Sequence, residues 1–316
     1  MRRIVVLLFT AVFCLQAAFV HAETAVKPGA SQSATAKKAA ASIPLRGTLY
    51  RIDYRGHTCY LFGTVHVGQA AFYPLEPQVT RALHRADQLV IEVDIRNVDA
   101  FKQAIARQGL YPNGETIGQH LSVDGLTQLK DVLQRNGIAY DNVARMKPWM
   151  LANLLIVQEM ARSGFPTEQG IETYFLRVAD KEKKTIGELE TADYQLSLFN
   201  TLSDAQQQDY LRETLEDLAD GSGIRKSVAL IDAWQRADGA KMEALKQEML
   251  TDDSASSRFI EDILLNQRNP GMSDKIEALF KAEKATFVAI GALHLIGDKS
   301  VPALLKQRGY QVTKLY

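Results

Sequence analysis

Two short apolar runs, far apart in the chain, end in the same Gly-x-x-His frame, and this pairing constrains the fold most. Tyr60-Leu61-Phe62 leads into Gly63-Thr64-Val65-His66, and Thr286-Phe287-Val288-Ala289-Ile290 leads into Gly291-Ala292-Leu293-His294. Short apolar runs rich in branched and aromatic side chains read as buried strands. Each histidine then stands just past a strand's carboxyl end, the edge of an open α/β sheet where ligands gather. The glycine three residues earlier permits a turn or a close approach that a Cβ would block. The phrases predict one site built from both ends of the folded chain, with Gly63 and Gly291 as its backbone elements.

The N-terminus has a different character. Arg2 and Arg3, an apolar stretch from Ile4 to about Val20, and the small-residue site Val20-His21-Ala22 form an export-signal pattern over 1–22. The stretch is short for a bilayer span and contains Gln16. Residues 23–44 are mostly Ala, Ser, Thr, Gly and Lys, too poor in large apolar side chains to offset their ordering entropy, and read as a flexible linker. The expected mature protein is periplasmic or secreted, with no stable membrane span after cleavage. Its folded body is 45–316, one large domain by size. Without Arg2 and Arg3 the 37 basic residues become 35, against 37 acidic ones. So balanced a charge gives no electrostatic case for nucleic acid or an anionic membrane. Cys14 falls in the signal and Cys59 is left alone, so no internal disulfide is expected and Cys59 reads as a buried thiol.

Within the body, Leu49–Tyr54 and Thr58–Phe62 read as strands about an Arg55-Gly56 turn, followed by a helix over Pro77–Arg85. Gln88–Asp94 is a further strand, whose alternation puts Glu92 and Asp94 on one face. Helical spacing dominates 98–183, including Asp99–Gln108 and a helix opened by Lys147-Pro148-Trp149. A short strand over 184–190 places Glu188 and Glu190 on one face. Helices return over 191–284, with breaks expected near Asn200, Gly221 and Asn269-Pro270-Gly271, before the Thr286 strand, a short helix and a last strand from Tyr310. The predicted class is α/β: a central mixed sheet with flanking helices and a large helical insertion or cap.

Glu92 and Glu190 stand in strands otherwise rich in Leu, Val and Ile, where an unpaired carboxylate is costly to bury. An exposed strand end with a salt bridge would answer that cost. So would convergence of His66, His294 and one or both glutamates on a divalent transition metal, whose preferred donors these are. Such an ion acidifies water and polarises a carbonyl, leaving a carboxylate as general base. Either histidine alone is equally consistent with a structural bond to a loop carbonyl. His57 lies in an expected turn, and His84 and His120 lack an acidic partner at ligand spacing, so packing or surface roles are expected for all three. No Gly-rich phosphate loop, nucleophile elbow or paired-cysteine motif is present.

The frames Leu61–Gly68 and Ile290–Gly297 resemble the signature pair of the TraB/PrgY/GumN family, which includes the TIKI metalloproteases. Glu92-Val93-Asp94, Lys147-Pro148-Trp149, Gly170-Ile171-Glu172, Leu189-Glu190-Thr191 with Gln195, Trp234 with Asp238, Arg268-Asn269 and Gly309–Val312 agree with it, from about Leu49 to Tyr316. The resemblance implies an α/β core with helical additions and a metal-dependent hydrolase site, using manganese or cobalt in the animal peptidases; zinc is a further candidate. It implies His66, His294 and Glu190 as metal ligands, Glu92 and Glu190 in proton handling, and Arg268 steadying a carboxylate or an oxyanion. Glu172 departs from an expected aspartate, and its added methylene moves a carboxylate by about 1 Å. The expected substrate is a peptide or small molecule. Sequestration of such a ligand without chemistry, and haem or metal carriage by the same histidines, are the other readings. The oligomeric state stays open.

Overall fold

Alternation of side chains across the apolar runs lets one sheet bury both of its faces. The computed structural model describes residues 43–251, 254–282 and 284–316. The expected signal, 1–22, and nearly all of the linker, 23–44, lie outside the described residues. Six strands, β1 (Leu49–Tyr54), β2 (His57–Thr64), β3 (Gln88–Ile91), β4 (Thr185–Glu188), β5 (Thr286–Gly291) and β6 (Gln311–Lys314), form one sheet in the order β4-β3-β5-β2-β1-β6. β4, β3, β5 and β2 run parallel, while β1 is antiparallel to both β2 and β6. The result is the mixed α/β sheet the sequence predicts. β1 and β2 are joined through Arg55 and Gly56, both at positive φ, the backbone that a two-residue hairpin with right-handed strand twist requires.

Phe62, Leu89, Ile91, Phe287 and Ala289 point to one face of the sheet, and Cys59, Leu61, Val90, Val288 and Ile290 to the other. This is the period of two expected of strands covered on both sides. Cys59 is buried as expected, and burial pushes its thiol up to about 12.

The helices, in chain order, are α1 (Pro77–Arg85), α2 (Val98–Ala104), α3 (Val123–Arg135), α4 (Tyr140–Val143), α5 (Pro148–Arg162), α6 (Ile171–Lys181), α7 (Ala192–Ser197), α8 (Asp204–Asp220), α9 (Ser222–Gln235), α10 (Gly239–Leu250), α11 (Ala255–Arg258), α12 (Arg268–Phe280) and α13 (Val301–Gln307). α5 starts with Pro148 at its first position and is apolar nearly all round. Such a helix must sit inside a packed layer. α8 covers part of it, and Phe199, in the turn before α8, stacks on Trp149 at 4.5 Å. No helix among the described residues is long and apolar enough to cross a membrane.

Some boundaries differ from the sequence pattern. β3 stops at Ile91 and β4 at Glu188, so Glu92 and Glu190 lie past the strands and the same-face expectations fail. Glu92 turns inward, whereas Asp94 holds Arg96 through its side chain. Likewise Glu190 is buried and Glu188 is exposed, accepting the Asp94 backbone N–H. Asn269-Pro270-Gly271 does not break a helix. It lies in the first turn of α12, where a proline's missing N–H has no intrahelical acceptor to lose. Asp99–Gln108 divides into α2 and a π-helical turn over Ile105–Gly109. His57 opens β2 rather than a turn. His84 and His120 do find acidic partners: Glu182, brought to His84 by tertiary contact, and Glu115, five residues before His120 in the chain.

Candidate functional site at the parallel strand ends

Four consecutive parallel strands each deliver one polar side chain just beyond their carboxyl ends. Across the sheet the order is Glu190 after β4, Glu92 after β3, His294 after β5 and His66 after β2. Pairing continues past β3 and β4, with the Glu190 N–H donating to the Glu92 carbonyl at 2.8 Å. All four side chains are buried, at no more than 6% exposure, as are Arg268 and Glu172.

The close approach occurs around Gly291. A Cβ built there would stand 3.2 Å from Glu92 Oε1, 3.5 Å from His294 Cδ2 and 3.7 Å from His66 Nε2. The missing side chain thus leaves the space into which both imidazoles and one carboxylate face. Glu92 Oε1 accepts the Gly291 N–H at 2.6 Å and lies 3.9 Å from His294 Nε2. Gly63 plays a parallel part beneath, since a Cβ there would meet Leu295 Cδ1 at 3.0 Å and Ala292 Cα at 3.1 Å.

Each imidazole has a polar neighbour at its other nitrogen. His294 Nδ1 is 2.6 Å from Asn269 Oδ1; an amide oxygen only accepts, so the Nδ1 proton is donated to it and Nε2 keeps its lone pair. His66 Nδ1 lies 2.8 Å from Glu172 Oε1, an oxygen that also accepts the Thr64 hydroxyl. α6 carries Glu172 there because its loop touches the His66 loop: a Cβ on Gly170 would stand 2.5 Å from the His66 carbonyl. Engagement of one ring nitrogen orients a ligating histidine and raises its basicity.

Arg268, at the start of α12, lies between the glutamates. Nη2 donates to Glu92 Oε2 at 2.5 Å and to Glu190 Oε2 at 2.6 Å, and Nε donates to both Glu190 oxygens. Gln195 adds a bond to each carboxylate. Arg268 steadies carboxylates, therefore, and a π-helical stretch over Phe259–Asn266 precedes it, a distortion frequent at functional sites.

Electrostatics follow from these pairs. Burial would raise the Glu92 carboxyl, but Arg268, His294, His66 and the Gly291 N–H outweigh it and hold the group at about 2. Burial and the Arg268 charge push His294 down to about 3, leaving a neutral ring. For His66 burial acts downward, and Glu172 beside it prevails and raises the imidazole above its ordinary value.

The donor types near Gly291, two imidazoles and one carboxylate oxygen, are those a divalent transition ion prefers. Among the described residues, however, no group of three His, Cys, Asp or Glu side chains is placed so that it could hold a metal ion. Of the residues singled out from sequence, His66, His294, Glu92, Glu190 and Arg268 all lie at this edge. The carboxylate facing the histidines is Glu92, whereas both Glu190 oxygens are engaged by Arg268. The roles of Thr64, Glu172, Asn269 and Gln195 are not readable from spacing; their only signal is that each lies in one of the short family-like phrases.

Fold and site together define an α/β protein with a buried histidine–glutamate–arginine centre at its parallel strand ends. The chain belongs to the TraB/PrgY/gumN family, whose sequence profile matches residues 48–314. It is similar to the uncharacterised protein YbaP of Escherichia coli (strain K12), 26% identical over 247 residues that cover 78% of this chain and 87% of YbaP. It is also similar to metalloprotease TIKI2 of Xenopus tropicalis, 25% identical over 80% of this chain, and to metalloprotease TIKI1 of Danio rerio, 24% identical over 80%. The aligned parts make up 57% and 60% of those two longer proteins. No solved structure matches.

Proposed function

We propose that the chain is an exported, metal-dependent hydrolase acting on peptides. The observation that carries this reading is the meeting of His66 Nε2, Glu92 Oε1 and the His294 ring around the absent Gly291 side chain. The similarity to TIKI metalloproteases supports the reaction class, and the signal pattern over 1–22 supports export.

In this reading His66, His294 and Glu92 hold the ion. A bound divalent ion supplies Lewis acidity toward a peptide carbonyl. Glu172 and Asn269 fix the two rings from behind. Glu190 anchors Arg268, and Arg268 in turn keeps Glu92 ionised and aimed. Burial excludes bulk water, which strengthens every charge interaction at the edge.

The test is bound-metal analysis together with peptide cleavage for the wild type, His66→Ala and His294→Ala. Loss of both properties in both variants is expected. Unchanged metal content and unchanged cleavage would overturn the proposal.

A further inference from the structure

Leu295 directly follows His294, and with Asp298 it lines a cavity of about 540 Å³. That volume falls in the range of roughly 300–1,000 Å³ usual for small-ligand sites. Tyr50 of β1 and Lys314 of β6, paired across the antiparallel ladder, also line it, as do Glu243 of α10 and Lys306 of α13. β1 begins and β6 ends at the edge where β2 and β5 end, so this cavity shares the sheet edge with the histidines.

Its lining carries two lysines, Lys306 and Lys314, and two acids, Glu243 and Asp298. Lys306 and Lys314 are exposed and enter no ion pair among the described residues. Behind the wall Lys246, 9% exposed, gives one of its donors to the Ile296 carbonyl at 2.5 Å, and its Nζ lies 3.4 Å from the position a Gly297 Cβ would take. Gly297 itself lines the cavity. Two ammonium groups and two carboxylates thus line the cavity, with Lys246 behind its wall, and Glu243 is drawn toward Gln247 by a bond of 3.0 Å, which leaves the lysines the less engaged pair. A polyanion such as a nucleotide would meet repulsion from Glu243 and Asp298. A single carboxylate on a chain of amides suits both the lysines and the acidic acceptors.

We infer that this cavity binds the free carboxyl-terminal end of a short peptide, with Lys306 and Lys314 taking the carboxylate. The inference rests on the reading of the neighbouring edge as a peptidase site, and it gives that site its substrate polarity. Ammonium–carboxylate contacts at a partly open site give modest but measurable discrimination.

Calorimetry on the full chain tests it, using a short alanine peptide with a free carboxyl terminus and the same peptide as its carboxamide. The His294→Ala variant, which keeps the cavity, prevents turnover during the titration. The expected result is binding of the free acid about tenfold tighter than the amide, with that preference abolished in a Lys306→Ala/Lys314→Ala double variant. Equal binding of acid and amide, or no binding of either, overturns the inference. Preferential binding of the acid, with no cleavage of any peptide by the metal-supplemented wild type, would instead sink the peptidase reading and leave the carboxylate subsite standing.

Discussion

Gly291, three residues before His294, donates its backbone N–H to Glu92 Oε1 at 2.6 Å, across 199 positions of sequence. Its φ of −52° suits any residue, so the need for glycine comes from the space around it. Gly291→Ala should fold, with a stability change within about 1 kcal/mol if the neighbours shift slightly. The new Cβ would push Glu92 and the imidazoles apart, and displacements of this size lower turnover by about tenfold or more. Thermal unfolding measured beside metal content and cleavage checks this; full activity in the alanine variant would show that the space is not used.

Glu172 reaches His66 only because its side chain is long enough. The Gly170 backbone already presses on the His66 carbonyl, so a shorter acid cannot be compensated by bringing the loops closer. Glu172→Asp should therefore lose the contact as surely as Glu172→Gln loses its charge. Both are expected to weaken metal affinity or activity by about 10–100-fold, the usual effect of removing the partner behind a ligating histidine. Metal titration of each variant measures it, and wild-type affinity in the aspartate variant would contradict the geometry.

Arg268→Met keeps bulk but strands Glu92 and Glu190 as buried carboxylates without their cation. Breaking a buried pair in this way costs about 3–5 kcal/mol. Urea unfolding should show that loss, and adding Glu92→Gln and Glu190→Gln should recover part of it. A near-neutral Arg268→Met change would mean that the carboxylates are already relieved by solvent.

Glu76, just before α1, is 1% exposed, and burial pushes its carboxyl from the ordinary 4.5 up to about 7, against the weaker opposing pull of backbone N–H groups and of Arg46. A raised acid binds its proton more tightly in the folded state. Its contribution to stability is complete below about 4.5 and disappears as pH rises through about 7. Glu92, held at about 2, acts in the opposite sense: its contribution is present above about 4.5 and lost as pH falls toward 2. Denaturant titrations between about pH 5 and pH 8 should show stability declining more steeply in the wild type than in Glu76→Gln. Parallel curves would remove Glu76 as a source of the slope.

Much of the architecture is legible in local pattern. Apolar runs before Gly63 and Gly291 mark strands because only a sheet covered on both faces accommodates them, and Pro148 marks the start of α5 because its ring fits a first helical turn. Boundaries are less legible. Nothing local tells that β3 ends at Ile91, or that the next side chain meets Gly291, 199 positions away. The Glu182 partner of His84, nearly a hundred positions away, escapes spacing arguments because only the fold brings the two together.

Sequence alone determines the strand-end histidines, the apolar frames that carry them, the acidic and basic residues of the centre, and the family resemblance. The tertiary structure decides which carboxylate faces the imidazoles. Strand order places Glu92 beside Gly291, while Arg268, arriving from a helix far along the chain, occupies both oxygens of Glu190. Glu172, which the sequence marks as a mismatch, becomes the partner of His66 because α6 packs its N-terminal loop against the histidine's own backbone. These outcomes rest on contacts between residues remote in sequence, and such contacts are set by how strands pair and loops touch.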